Sequence, residues 1–479
     1  MTSFAQQYQL WDDHQQAAAK SLKHQWQADG IEFVRFVFAD QHSQLRGKTL
    51  VLDAALKALD NGINMTSTLL AKDTSHKTVF PVFSRGGGFD FPGMQGAQDF
   101  VMLPDPNTAK VLPWARNTAW VLCDPYQANG NGIPITTRPL LKKAIAQLER
   151  QGLSLKTGLE VEFHVFRRLD EPLNLEDSGQ PGRAPKLGLI SQGYQYLTEQ
   201  RYDIVAPLME RLHDTLISLD LPLRSLEIEY GPSQLELTFG PCDALTSADQ
   251  MVLLRSAIKQ TCQREGLLAT FMCRPRIPNA MSSGWHLHQS LVDTQTQKNV
   301  MIPNTDTSPL SPIGMQFMAG LLHYARDCTL LTTPTINGYR RYRALSLAPD
   351  RAAWAHDNRG AMLRVLGGVG RADTRIENRV GEPAANPYLY IASQIFSGQA
   401  GINQQLEPGP SADEPYQSSA PALPKSLPEA ISALDQSALL RTAFGDTFVD
   451  YYCFIKEAEH DRFQQEVTAW EEREYLDLF

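Results

Sequence analysis

The sequence predicts an α+β protein with at least two domains, and three observations lead there. The chain has 479 residues, more than a single hydrophobic core organises. Its first 130 or so residues are rich in strand signals, whereas long helical patterns begin only after them. Further on come five short segments that alternate apolar and polar residues, two of them joined by a tight turn as a hairpin. The expected division is a small domain over residues 1–130 and a larger one over 131–479.

Each element follows from local pattern. In the small domain, residues 31–39 (IEFVRFVFA) are β-branched and aromatic, as a strand requires. Phe100–Leu103 and Ala119–Leu122 read the same way, and an Asp-Pro turn is expected shortly after each. Gly86–Gly88 is a loop and no phosphate cradle, because no Lys-Ser/Thr and no helix pattern follow it. A helix is expected from Thr137 to Gly152, with Thr137 as its cap and Leu141, Ala144, Ile145 and Leu148 as its apolar stripe. Others are expected over 204–219, from a Ser247-x-x-Gln250 capping box to Gly266, over 312–331 and over 446–475. Six prolines between 404 and 428 mark a surface loop.

Composition removes several function classes. Apolar residues make up 42% and charged residues 20%, the balance of an ordinary globular protein. A net charge of -9 gives no general attraction for nucleic acid or an anionic membrane. The N-terminal MTSFAQQYQLWDDHQQ has no basic start and no apolar run, so no signal peptide is expected. No stretch of about 18 apolar residues is present. The six cysteines (Cys123, Cys242, Cys262, Cys273, Cys328 and Cys453) show neither zinc-binding nor disulfide spacing, so reduced core thiols in the cytoplasm are expected.

The chemistry lies in the five alternating strands. In GLEVEFHVF, Leu159, Val161, Phe163 and Val165 face one way, and Glu160, Glu162 and His164 face the other. Carboxylates at i and i+2 on a strand sit roughly 7 Å apart at the backbone, which suits two adjacent metal ions. The hairpin SLEIEY-GPS-QLELTF presents Glu227, Glu229 and Glu236. GWHLHQSL puts His286, His288 and Ser290 on one face, and TRIENRV does so with Arg375, Glu377 and Arg379. Clustered like charges cost energy unless something neutralises them. Oxygen-rich ligands with one imidazole suit Mg²⁺ or Mn²⁺ better than Zn²⁺. From Arg340 to Arg379 stand nine arginines and no lysine, a bias toward bidentate binding of phosphate or carboxylate. Metals and placed cations are most of what phosphoryl transfer needs. A metal-dependent hydrolase accounts for the carboxylates but not for the arginines.

With GLEVEF, EYGPSQLE, GWHLHQS, TPTINGYRR, DNRGAMLRV, RIENRVGEPAANPYL and VTAWEEREYLDLF in that order, the chain resembles the glutamine synthetase family along nearly its whole length. The resemblance implies an N-terminal β-grasp domain and a catalytic domain built on a curved antiparallel sheet flanked by helices. It implies a homo-oligomeric ring, typically a dodecamer, with sites between adjacent subunits. It implies ATP and two to three Mg²⁺ or Mn²⁺ ions per site. Glu162, Glu229 and Glu236 match the ligands of one metal, and Glu160, His286 and Glu377 those of another. His288, Ser290, Arg364 and Arg375 match nucleotide contacts. Arg341 matches the arginine on the glutamate α-carboxylate, and Arg359 and Arg379 those on the transferred phosphate and the γ-carboxylate. The reaction implied is phosphorylation of the γ-carboxylate by ATP, then displacement of phosphate by an amine.

Departures from the family pattern bear on that amine. Glutamine synthetases hold ammonium with an Asp in an FDGSS motif and a Glu on a flap. Here the flap reads YRALSLAPD with Leu347 at the matching position, and the small domain lacks FDGSS, Asp90 being its nearest candidate. Losing a carboxylate removes charge and adds apolar surface. Asp350 is the residue that could compensate. An aromatic or alkyl amine is therefore expected as acceptor, giving a γ-glutamylanilide or γ-glutamylalkylamide synthetase. The alternatives are an ammonia-using glutamine synthetase, a γ-glutamylpolyamine synthetase and a non-catalytic ring protein. Met281 and Ser282 replace an Asn and a Gly near the glutamate amino group, and glutamate stays the expected acid. Tyr416 falls near a tyrosine that some relatives adenylylate, but DEPYQSS lacks the leucines expected around it.

Overall fold

Two sheets organise the chain. The computed structural model describes residues 2–89, 91, 93–170, 174–342 and 347–479. The first sheet has the strand order Leu45–Val51, Phe33–Ala39, Thr118–Tyr126, Asp99–Pro104, Ile63–Thr66. Its central pair, Phe33–Ala39 with Thr118–Tyr126, is parallel, and the others are antiparallel. The third strand runs through Asp124-Pro125 in place of the expected turn, because Asp124 is buried and bound by Arg138 and Lys142. The sequence reading also missed the helix Asp13–Ala28. Its Asp12/Gln15 capping box is complete, but it buries only Ala19 and Trp26, too thin a stripe to read as a period.

The second sheet has ten strands and carries the chemistry. Along its main path the order is Trp354–His356, Leu363–Leu366, Arg375–Gly381, Trp285–Asp293, Leu153–Arg168, Gln234–Phe239, Leu223–Ile228. Every pair on this path is antiparallel except the first, which is parallel. Leu153–Arg168 is the spine, and three short strands also pair with it. Leu159, Val161 and Phe163 are buried on its apolar side. Helices Thr137–Glu149, Ala244–Arg264 and Pro387–Asn403 pack there. The other face is left for the carboxylates.

Helix ends differ from the expected ones for local reasons. Asp243, not Ser247, caps Ala244–Arg264 by accepting from the Thr246 amide, while Ser247 donates to the Thr157 carbonyl. Thr136, not Thr137, is the residue before the helix at 137. The expected helix at 446–475 is two, Asp446–Gln464 and Ala469–Tyr475, because Thr468 and Glu471 form a new capping box. The expected helix at 312–331 stops at His323. No described helix is long and apolar enough to cross a membrane. All six cysteines are free thiols.

Arg138 ties the two sheets together. It is buried and bonds Asp105 and Asp124 of the first sheet region at 2.9 and 3.0 Å. It also bonds Asp249, on the helix behind the second sheet, at 2.8 Å. Burial opposes the charge, but Asp124 and Asp249 hold the guanidinium ionised. Replacing Arg138 by Met removes the cation shared by three carboxylates and leaves them with Lys142 on Asp124, Gln15 on Asp105 and Tyr388 on Asp249. The expected loss is on the order of 3–5 kcal/mol, seen as a lowered thermal midpoint, with little rescue by Lys, which lacks the planar fork.

Candidate active site

Strand register assembles the site. Glu236 lies opposite Glu162, and Thr238 opposite Glu160. Glu227 lies opposite Glu236 on the hairpin. On the other flank His286 lies opposite Glu160, His288 opposite Glu377, and Arg364 opposite Glu377. Directly opposed side chains start about 5 Å apart, so a row of acids and imidazoles follows from pairing alone.

Among the described residues, two groups of side chains are close enough to hold a cation. Glu160, His286 and Glu377 offer ligand atoms within 4.8 Å of one another, and so do Glu162, Glu236 and His286. His286 belongs to both. Its Nδ1 lies 2.5 Å from Glu160 and 3.5 Å from Glu377, and its Nε2 lies 3.9 Å from Glu162. Glu229 lines the same cavity without joining either group. Glu162 is oriented by Gln234 Nε2 at 2.9 Å and by the Gly284 amide at 3.1 Å. A side chain at position 284 would meet Arg341 Nη2 at 2.6 Å, so glycine is what lets the arginine approach.

The carboxylates divide electrostatically. Burial opposes ionisation of Glu160, but the charges and hydrogen bonds of His286 and His288 hold it far below the usual range. Burial likewise opposes Glu377, and Arg379 and His286 outweigh it. At the other three burial prevails, and it raises Glu162 even against the charges of His286 and Arg341. Burial and then the charge of Glu162 push Glu229 up to about 8. Burial and the charges of Glu160, Glu162 and Glu229 push Glu236 up to about 11. Packed, desolvated carboxylates of this kind, with an imidazole between them, fit a hard divalent cation.

Two cavities of about 280 Å³ each meet at Glu160 and Thr238. One is lined by the carboxylates together with Arg341, Arg359, Arg364, Arg379, Met281, Ser282 and Leu347. The other is lined by His288, Ser290, Arg375, Arg224 and Lys156. Arg375 Nε donates to His288 Nδ1 at 3.1 Å, so His288 donates from Nε2 to Glu160, at 2.9 Å. Arg364 thus sits apart from the three residues with which the sequence groups it. It bonds Glu377 at 3.1 Å and pairs with Asp357.

The remaining cations are held rigidly. Arg341 is buried and donates to the carbonyls of Arg379, Val380 and Gly381 at 2.8–3.0 Å. Arg379 pairs with Glu377, and its buried Nε–H has no hydrogen-bond partner among the described residues. Asp350 is not among the residues lining the acidic cavity. Asp90 and the flap residues 343–346 lie outside the described residues. His164 shares a strand face with Glu160 and Glu162 yet belongs to the core. It is fully buried, stacks on Phe166, and burial lowers its pKa to about 3. The sequence reading missed Gln234 and Tyr196, which also line this site. Gln234 ends the GPSQ turn, the one signal that could have marked it.

Comparison with known proteins gives the lineage. The glutamine synthetase catalytic domain matches residues 134–475. The chain belongs to the glutamine synthetase family. Within that family it is 42% identical to a gamma-glutamylanilide synthase of Acinetobacter, with 98% of this chain and 97% of that one aligned. It is 32% identical to the gamma-glutamylethanolamide synthetase GlnA4 of Streptomyces coelicolor, with 93% of each covered. It is 30% identical to a glutamate–isopropylamine ligase of Pseudomonas, over 94% of this chain and 95% of that one. Among solved structures, the GmaS/ADP complex superposes with a TM-score of 0.79 at 24% identity, over 95% of this chain and 99% of that one. The fold is the glutamine synthetase fold, and the protein is an ATP-dependent carbon–nitrogen ligase.

The raised carboxylates set a pH dependence. Glu229 and Glu236 keep protons in the folded chain where an unfolded glutamate, near 4.5, has lost them. The metal-free protein therefore loses stability as pH rises from about 4.5 through about 8, and further toward 11. A cation replaces those protons, so its apparent affinity should rise by up to about tenfold per pH unit for each proton displaced. Thermal midpoints with and without Mn²⁺ should diverge more at about pH 8 than at about pH 6, and Glu236→Gln should flatten the difference.

Proposed function

We propose that this enzyme joins the γ-carboxylate of glutamate to an organic amine through a γ-glutamyl phosphate. The observation that carries the reading is the meeting of two cavities at Glu160, one acidic and arginine-lined, the other lined by His288, Ser290 and Arg375. ATP occupies the second cavity with its phosphates directed at the shared wall. Glutamate occupies the first, its α-carboxylate on Arg341, whose three backbone bonds fix the guanidinium. Arg359 and Arg379 take the phosphate under transfer. The unpartnered Nε–H of Arg379 supports an anion there. Arg364, beside Glu377, is better placed to reach the phosphates than the base or sugar.

Glu162, Glu229 and Glu236 would hold one divalent ion, and Glu160, His286 and Glu377 another. Bound there, Mg²⁺ or Mn²⁺ supplies charge neutralisation for in-line phosphoryl transfer. The chain's own part is alignment. Strand register sets the carboxylates, Gln234 and Gly284 orient Glu162, and the arginines hold both substrates in one line.

The acceptor follows from the rim of the acidic cavity. Leu347 lines it where a flap carboxylate would hold ammonium, and Asp350 does not take that place. A weakly basic aromatic amine attacks as the neutral molecule and needs no such carboxylate. Relatives named for anilide, ethanolamide and isopropylamine chemistry support an organic amine. We further assign residues 1–130 to a β-grasp domain and 131–479 to the catalytic domain, as the family match from 134 supports. We also assign a dodecameric ring as the assembly.

Phosphate release from ATP with Mg²⁺ and glutamate, measured across ammonia, alkylamines, aniline and putrescine, tests this. The expected result is kcat/KM for an organic amine at least about tenfold above ammonia, a gap of about 1.4 kcal/mol. Leu347→Glu should narrow that gap. Fastest turnover on ammonia would return the enzyme to glutamine synthesis.

A further inference from the structure

Two tyrosines stand in the acidic cavity, and nothing in the phosphoryl-transfer chemistry uses them. Tyr196 and Tyr230 stack face to face with ring centroids 4.2 Å apart and planes 9° from parallel. Both line the cavity that holds Glu229, Met281 and Leu347. Neither is buried: Tyr196 is 39% and Tyr230 44% exposed. Leu347 is 45% exposed. Apolar and aromatic surface is thus left open inside a cavity otherwise lined with charge.

The backbone is built to hold this stack. Tyr230 directly follows Glu229, so its ring is positioned by the same hairpin that supplies the carboxylates. Tyr196 comes from a separate segment, docked on the hairpin turn by Tyr194 N–H to the Tyr230 carbonyl at 2.8 Å and Ser233 N–H to the Ser191 carbonyl at 3.1 Å. Gly193 has φ +70°, and a side chain there would lie 2.4 Å from Pro232 N. Tyr194, Gln195 and Leu197 also have positive φ, between 41° and 57°. Leu347, across the cavity, has φ 59°. Non-glycine residues reach this region at a cost, and it persists where the surroundings demand one placement. Here the placement brings the Tyr196 ring onto Tyr230.

We propose that the Tyr196–Tyr230 stack, with Leu347 and Met281, is the acceptor subsite and selects a planar aromatic amine. This rests on the ligase reading above and deepens it. A flat ring gains offset or edge-to-face contact with the tyrosines. It also covers the exposed faces of Leu347 and Met281. Ammonia and methylamine are too small to cover either. The subsite adjoins the place assigned above to the glutamate carboxyl because the tyrosines line the same cavity as Glu229, Arg359 and Arg379. An amine on the stack therefore needs no large movement to reach the activated carbonyl.

The test compares kcat/KM for aniline with kcat/KM for methylamine in the wild type and in Tyr196→Ala, Tyr230→Ala and Tyr230→Phe. The aniline-to-methylamine ratio should fall roughly tenfold in each alanine variant and stay near wild type in Tyr230→Phe, which keeps the ring. KM for ATP should not follow the ratio. An equal loss on both amines overturns the proposal and leaves the tyrosines a structural role. A ratio unmoved in both alanine variants also overturns it, while the ligase reading stands. No amine-dependent phosphate release from the wild type, on any amine, sinks the ligase reading and this proposal with it.

Discussion

The site is organised by a charge problem. Antiparallel register on the Leu153–Arg168 strand brings Glu160, Glu162 and Glu236 side by side, with Glu229 and Glu377 close at hand. Their backbones are fixed by the ladder and by helices packed on the far side of the sheet, so the acids cannot separate. Two are neutralised within the protein, by His286, His288 and Arg379. Burial raises the other three, and at Glu229 and Glu236 the neighbouring carboxylates raise them further, an imbalance that a bound cation relieves. The fold makes a rigid frame, and the frame makes an unsatisfied negative site that metal-bound polyphosphate can complete.

That frame also suits the reaction proposed above. Glu160 stands where both cavities meet and holds His286 on one side and His288 on the other. A nucleotide in one cavity and an amino acid in the other would face one another across it. The arginines are fixed in advance, Arg341 by carbonyls, Arg364 and Arg379 by Glu377. Little reorganisation is then left for the moment of transfer, which is where pre-set charge contributes most.

Much of this was legible in the sequence, because a strand's period of two is simple and the polar faces were unusual. Alternation alone put Glu160 with Glu162 and His286 with His288. Order along the chain, matched to the family, gave the arginines their expected roles. What stayed hidden depends on distant neighbours. His164 continues the Glu160–Glu162 face but is closed off by Ser283 and Phe166. Arg364 and Arg375 both look like nucleotide ligands, yet they line different cavities. Ser247 had the spacing of a cap, but the Thr157 carbonyl claims its hydroxyl. The Tyr196–Tyr230 stack joins two segments that share no pattern, and positive-φ backbone around Tyr196 leaves no mark that composition reveals.

The central claim is that the enzyme activates a carboxylate by phosphorylating it. Glutamate carrying oxygen-18 in its γ-carboxylate tests this most directly, with ATP, Mg²⁺ and the preferred amine. The carboxylate oxygen attacks the terminal phosphorus, and when the amine displaces phosphate that oxygen leaves with it. One labelled oxygen is expected in each phosphate released and one in the amide. Unlabelled phosphate released as the amide forms, with the displaced label recovered in another product such as AMP or water, would contradict that claim.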